Sequence, residues 1–113
     1  MIATQLPLFP APAATNAAGW VYYGTDGCNI KIGYSTSPRR RGGELKLSML
    51  LTFLGGVENE RTHHRIWAKH RIGTSEWFRP APDLLEWLGK HIPLDTAQRM
   101  ALRMLVFRRR ETA

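Results

Sequence analysis

Three features of the chain predict a small α/β domain. Two β-branched and aromatic segments flank an Asp26-Gly27 turn. Helix-start residues recur at Ser37-Pro38, at Asp83 and at Asp95 or Thr96. Strand and helix patterns alternate before a helical end, in the order β-β-α-β-α and then two more helices. Three strands with helices between and after them make a layered α/β architecture. With 113 residues the chain is one domain with one modest core. No internal repeat is visible.

In chain order, residues 1–18 hold Pro, Ala and Thr and no charged side chain, which predicts a flexible tail. Trp20-Val21-Tyr22-Tyr23 reads as a strand, and Ile30-Lys31-Ile32-Gly33-Tyr34 alternates as its antiparallel partner across the turn. Ser37 is the expected N-cap of a helix with Pro38 at its first position, running through three arginines to about Lys46. Gly42-Gly43 should weaken that helix, leaving it short or kinked. Residues 49–56 form the third strand, and a helical pattern runs from about Glu58 to Arg71. Gly73-Thr74-Ser75 is a loop and Glu76-Trp77-Phe78 a short extended piece. Asp83 should cap a helix bearing Leu84, Leu85, Trp87 and Leu88. The last helix should pack Ala97, Met100, Ala101, Met104, Leu105 and Phe107 on the domain.

Lys plus Arg outnumber Asp plus Glu by 16 to 9, a formal net charge of +7, and twelve of these cations are Arg. Arg matches phosphate with two parallel donors, so the excess points to nucleic acid ahead of an anionic membrane. A basic balance also serves plain solubility. Cys28 stands alone, which excludes an intrachain disulfide and a cysteine-based zinc site and fits a reducing, cytoplasmic compartment. No apolar run reaches membrane-spanning length, and the proline-broken N-terminus has no basic region of a signal peptide.

Phosphodiester hydrolysis needs a cation on the phosphate, a positioned water and usually a metal. Tyr22 and Lys31 lie on adjacent strands and can share one sheet face, with Arg41 on the first helix and Glu60 on the second. Taken singly, Tyr22 is a core aromatic, Lys31 a solvated strand residue, and Arg39-Arg40-Arg41 a solvated basic face. Glu60, His63, His64 and His70 do not make the metalloprotease pattern of two histidines four apart around a glutamate. His63 and His70 read as core or surface histidines.

As an ordered series, GWVYYG (19–24), IKIGYS (30–35), SPRRRGGEL (37–45), NERTHHRIW (59–67) and SEWF (75–78) resemble the GIY-YIG nuclease superfamily. The similar branch is the short phage and bacterial one with Lys-Ile-Gly in place of Tyr-Ile-Gly. The resemblance covers roughly residues 19–90, and implies a small three-stranded antiparallel sheet flanked by helices, with extra C-terminal helices here. It divides the chain into the tail (1–18), a nuclease-like domain (19–92) and a basic C-terminal helix packed on it (93–113). It implies metal-assisted DNA cleavage with Mg²⁺ or Mn²⁺. In that scheme Tyr22 is general base or water-positioner, with Lys31 the cation that would lower its pKa, and Arg41 pairs with the scissile phosphate. Glu60 is the metal ligand, and His64 orients it or contacts phosphate. Arg39 and Arg40, and Arg108, Arg109 and Arg110 at the end of the last helix, would contact DNA backbone. Glu76 has a structural or helix-capping role. A single metal site cuts one strand at a time, so double-strand breaks would imply a dimer or two encounters; the chain is expected as a monomer or weak dimer. The alternative is the same fold without catalysis, holding DNA, or an adaptor.

In the tail, Gln5-Leu6-Pro7-Leu8-Phe9 resembles the peptide by which bacterial DNA-processing proteins dock on the sliding clamp. Gln5 would make the polar contact, with Leu6 beside it and Leu8 and Phe9 as pocket anchors.

Overall fold

The structure is a computed structural model that describes residues 19–92 and 97–112, the side chains of the last four excepted. Residues 5–9 and the cap at Asp95 or Thr96 lie outside the described residues.

The domain has a four-stranded antiparallel sheet and four α-helices. The elements run β1 (Trp20–Thr25), β2 (Ile30–Ser35), α1 (Pro38–Leu45), β3 (Ser48–Leu54), α2 (Val57–Ile66), β4 (Trp77–Phe78), α3 (Pro82–His91) and α4 (Ala97–Thr112). The strand order is β3-β1-β2-β4. The expected three-stranded sheet is therefore corrected to four. The short extended piece at Trp77-Phe78 pairs with Ile30 and Lys31 and becomes an edge strand.

Strand alternation divides the sheet between two environments. Val21, Tyr23, Ile30, Ile32, Leu51, Phe53 and Phe78 are buried in one core with Leu84, Trp87 and Leu88 of α3 and Leu102 and Leu105 of α4. The opposite face carries Tyr22, Lys31 and Gly33, and α1 lies over its β3 side. There a Cβ on Gly42 would stand 2.8 Å from the Met49 methyl, so glycine permits the close approach. The α1 helix runs through both glycines and ends at Lys46, which takes the left-handed conformation (φ 57°) while Leu47 N–H reaches the Gly42 carbonyl.

Several local expectations change. Ser37 holds the N-cap position of α1 but makes no side-chain cap; its own N–H donates to Ser35 Oγ instead. The cap position of α3 is Ala81, and Asp83, inside the first turn, accepts the Leu84 N–H (2.9 Å) and is shared with Lys69 (3.2 Å) and His70 (2.8 Å). The second helix stops at Ile66, and Ala68–His70 form a separate 3₁₀ turn. On α4 the packed side is Ala101, Leu102, Leu105 and Val106, whereas Met100, Met104 and Phe107 face outward. Arg99 ties the helix back by donating to the Gly89 and Ile92 carbonyls.

One polar chain crosses the core. Trp67 Nε1–H donates to the Tyr23 hydroxyl at 3.0 Å, and that hydroxyl donates to His63 Nδ1. Burial and the neighbouring His64 lower the His63 pKa to about 4. Burial raises the Tyr23 phenol despite the Trp67 hydrogen bond. The unfolded chain takes up a proton near pH 6.5 that native His63 refuses until about pH 4. His63 therefore contributes stability that is fully present above pH 6.5 and is lost as pH falls through that window. By pH 4.5 the loss should be roughly 2–3 kcal/mol. His63→Gln keeps an acceptor without a titrating group, so its urea midpoint should fall less than that of the unsubstituted protein between pH 7 and 4.5.

Candidate functional site

Tyr22 is fully buried, and its ring lies flat on the backbone of β2. It is paired in register with Gly33, where a Cβ would stand 2.5 Å from the Tyr22 hydroxyl. The glycine at this position is thus a clearance for the tyrosine ring. The Tyr22 hydroxyl completes no hydrogen bond of normal geometry. Burial raises its pKa, the Arg41 charge and a loose hydrogen bond from Arg41 pull it down, and Glu76 and Glu60 push it up; the net shift is upward. The cation acting on Tyr22 is Arg41. Lys31, expected in that role, is committed elsewhere: its Nζ meets Glu76 Oε1 at 2.7 Å and lies over the Trp77 ring.

The carboxylate of Glu60 is largely shielded from solvent. Burial raises its pKa, Glu76 raises it further, and His64, Lys31 and Arg61 pull it down without reversing the shift. His64 stands one turn on, its Nε2 4.0 Å from Glu60 Oε2 and 2.8 Å from the Ile32 carbonyl. A carbonyl only accepts, so Nε2 carries a proton and donates to Ile32. That nitrogen is therefore not a metal ligand; His64 fastens α2 to β2 one turn from Glu60.

Glu60, His64 and Glu76 share an open cleft of about 540 Å³ with Arg61, Arg65 and Arg71. Tyr22, Lys31 and Arg41 are not among its walls; they border it through the Lys31–Glu76 pair and through the charges that Glu60 and Glu76 exert on Tyr22. Sequence reasoning missed Arg71, and gave Glu76 only a structural or helix-capping role, whereas it walls the cleft and pairs with Lys31. The available signal was a loop closed by Gly73 between a basic segment and the strand that ends at Phe78.

The remaining arginines separate. Arg39, Arg40 and Arg41 are exposed on α1, with Arg40 and Arg41 beside Glu44. Arg108 lies against Cys28 in a different recess, with Arg79 and His70. The side chains of Arg109 and Arg110 lie outside the described residues. Among the described residues no three His, Cys, Asp or Glu side chains gather as a metal group, and no helix is long and apolar enough to cross a membrane.

No protein-family model, no curated protein and no solved structure matches the chain.

Two glycine substitutions test this geometry. Gly33→Ala drives a methyl into the Tyr22 ring and should cost about 1–3 kcal/mol. Gly43→Ala sits in α1 with nothing within 4 Å of the new Cβ, and should stabilise by about 0.5–1 kcal/mol. Urea unfolding of the two variants should move in opposite directions.

Proposed function

We propose that the protein is a DNA endonuclease of the GIY-YIG type that hydrolyses phosphodiester bonds with a divalent metal. One observation carries the reading: a buried Tyr22 hydroxyl with Arg41 as its polar neighbour, coupled by charge to Glu60 and Glu76 at an arginine-walled cleft. A polyanion with a bound cation matches that mixture of charges, and the net charge of +7 favours a nucleic acid.

Each residue has a task that its surroundings support. Arg41 stands exposed over the Tyr22 hydroxyl and neutralises the scissile phosphate with its forked donors. Tyr22 stays a neutral phenol at neutral pH because burial outweighs Arg41, so it orients the attacking water and does not remove its proton. Lys31 holds Glu76 in place.

Glu60 offers the oxygen donor suited to Mg²⁺ or Mn²⁺, with Glu76 beside it. The fit is that of a weak site completed by substrate: a shielded carboxylate held unfavourably against a second one gains from a hard cation. When bound, the ion supplies neutralisation of phosphate charge. His64, occupied by the Ile32 carbonyl, positions the helix that carries Glu60.

The test is supercoiled plasmid incubated with Mg²⁺, with Mn²⁺ and with chelator. The protein should nick or linearise plasmid only with metal. Glu60→Gln should lose at least about 10²-fold in rate while keeping DNA affinity. Wild-type cleavage by Glu60→Gln, or cleavage in excess chelator, would refute the role of Glu60.

The QLPLF segment at residues 5–9 supports recruitment to a bacterial sliding clamp. A short peptide with concentrated anchors docks with little interface, and tethering raises the nuclease concentration on replicating DNA. Replacing Leu8 and Phe9 together by Ala should abolish calorimetric binding to purified clamp and leave plasmid cleavage unchanged. Equal binding by both proteins, or none by the intact one, removes the clamp from the account.

A further inference from the structure

The three arginines on the cleft are not equivalent. Arg61 is paired with Glu58 at 3.4 Å. Arg65 donates to the neutral Thr62 hydroxyl at 3.1 Å. Arg71 is half-buried, and its Nε and one Nη2 hydrogen are spent on the Ser75 carbonyl (2.6 Å) and the Thr74 carbonyl (3.2 Å). Neither Arg65 nor Arg71 has a carboxylate partner among the described residues, although Glu60 and Glu76 wall the same cleft.

A guanidinium has five N–H donors. Arg71 uses two on backbone carbonyls, which carry no compensating charge, and three have no protein partner among the described residues. The loop that holds it is itself fixed. Arg71 bridges Phe78, Ile72 N–H donates to the Trp77 carbonyl, and Gly73 turns the chain at φ 61°. The same loop delivers Glu76 to Lys31 on its return arm. Arg71 is thus an arginine whose rotamer is set before any ligand arrives, which lowers the entropy lost on binding an anion. It lines the cleft together with residues of α2, whereas Arg41 on α1 does not, which suits a different phosphate from the one Arg41 would hold.

We propose that Arg71, assisted by Arg65, is a preset clamp for a DNA backbone phosphate next to the cleavage position; which strand position it serves rests on the endonuclease reading, but phosphate capture does not. The ligand is a phosphodiester oxygen pair met by the open edge of the guanidinium. Arg65 adds charge from α2.

The experiment measures affinity of a short fluorescent duplex in chelator across a salt series, so cleavage plays no part in the readout. Arg71→Gln should weaken binding about tenfold and reduce the salt slope by about one. Arg65→Gln should reduce the slope in the same sense. Arg71→Lys restores a cation without the fixed fork, so it should recover the slope and only part of the affinity. Lys90→Gln, exposed on α3, should leave both unchanged. A role confined to tethering the 73–75 loop would alter stability without moving the slope. A wild-type salt slope in Arg71→Gln, or a loss in Lys90→Gln equal to that in Arg71→Gln, would overturn the clamp. Loss of the slope with no plasmid cleavage under any metal would uphold the clamp and remove only the catalytic reading.

Discussion

Two consecutive histidines hold α2, and the candidate site depends on that anchorage. His63 turns inward and accepts from Tyr23 inside the core, while His64 turns outward and donates to the Ile32 carbonyl. Adjacent helix positions diverge by about 100°, so the pair grips two different strands, β1 and β2. The helix is thereby fixed in rotation as well as position. Glu60, one turn before His64 on the same side, is aimed at the cleft by that fixing. A helix docked by apolar contacts alone would leave its roll less tightly defined.

A similar division operates on β1. Val21 and Tyr23 enter the core while Tyr22 faces the other way, onto Gly33. Two tyrosines side by side in sequence thus take unrelated tasks. Tyr23 is a core group with its hydroxyl used twice, and Tyr22 is a buried group whose hydroxyl has Arg41 as its polar neighbour. The bare backbone of Gly33 permits the second arrangement, since any side chain there would lift the ring away from β2.

Much of this could be read from the sequence because the signals were local. The hairpin of β1 and β2 follows from alternation and the Asp26-Gly27 turn, and the helices from periodic apolar residues and Pro38. The fourth strand escaped because two residues carry no period; Trp77 and Phe78 become a strand only when β2 offers an edge. Caps were misread for a related reason. Asp83 looks like a cap until Lys69 and His70, brought in by the 3₁₀ turn, claim its oxygens. The partner of Lys31 was equally hidden, since Glu76 lies 45 residues away in sequence and meets it through the β2–β4 pairing. On α4, two apolar stripes were available in the pattern, and β3 and α3 selected Leu102 and Leu105 over Met100, Met104 and Phe107.

Two sets of buried polar groups, one on each sheet face, are satisfied to different degrees. In the core, Trp67, Tyr23 and His63 are linked in a hydrogen-bonded chain, which keeps desolvation costs low. On the other side, the buried Tyr22 hydroxyl meets only a loose contact from Arg41, and Glu60 is shielded beside Glu76 with its pKa raised. Both features work against folding, because each withdraws a polar group from water without full return. Groups left wanting a cation, a water or an anion, around one cleft and on a rigid sheet, are what a ligand-binding face requires before its ligand arrives.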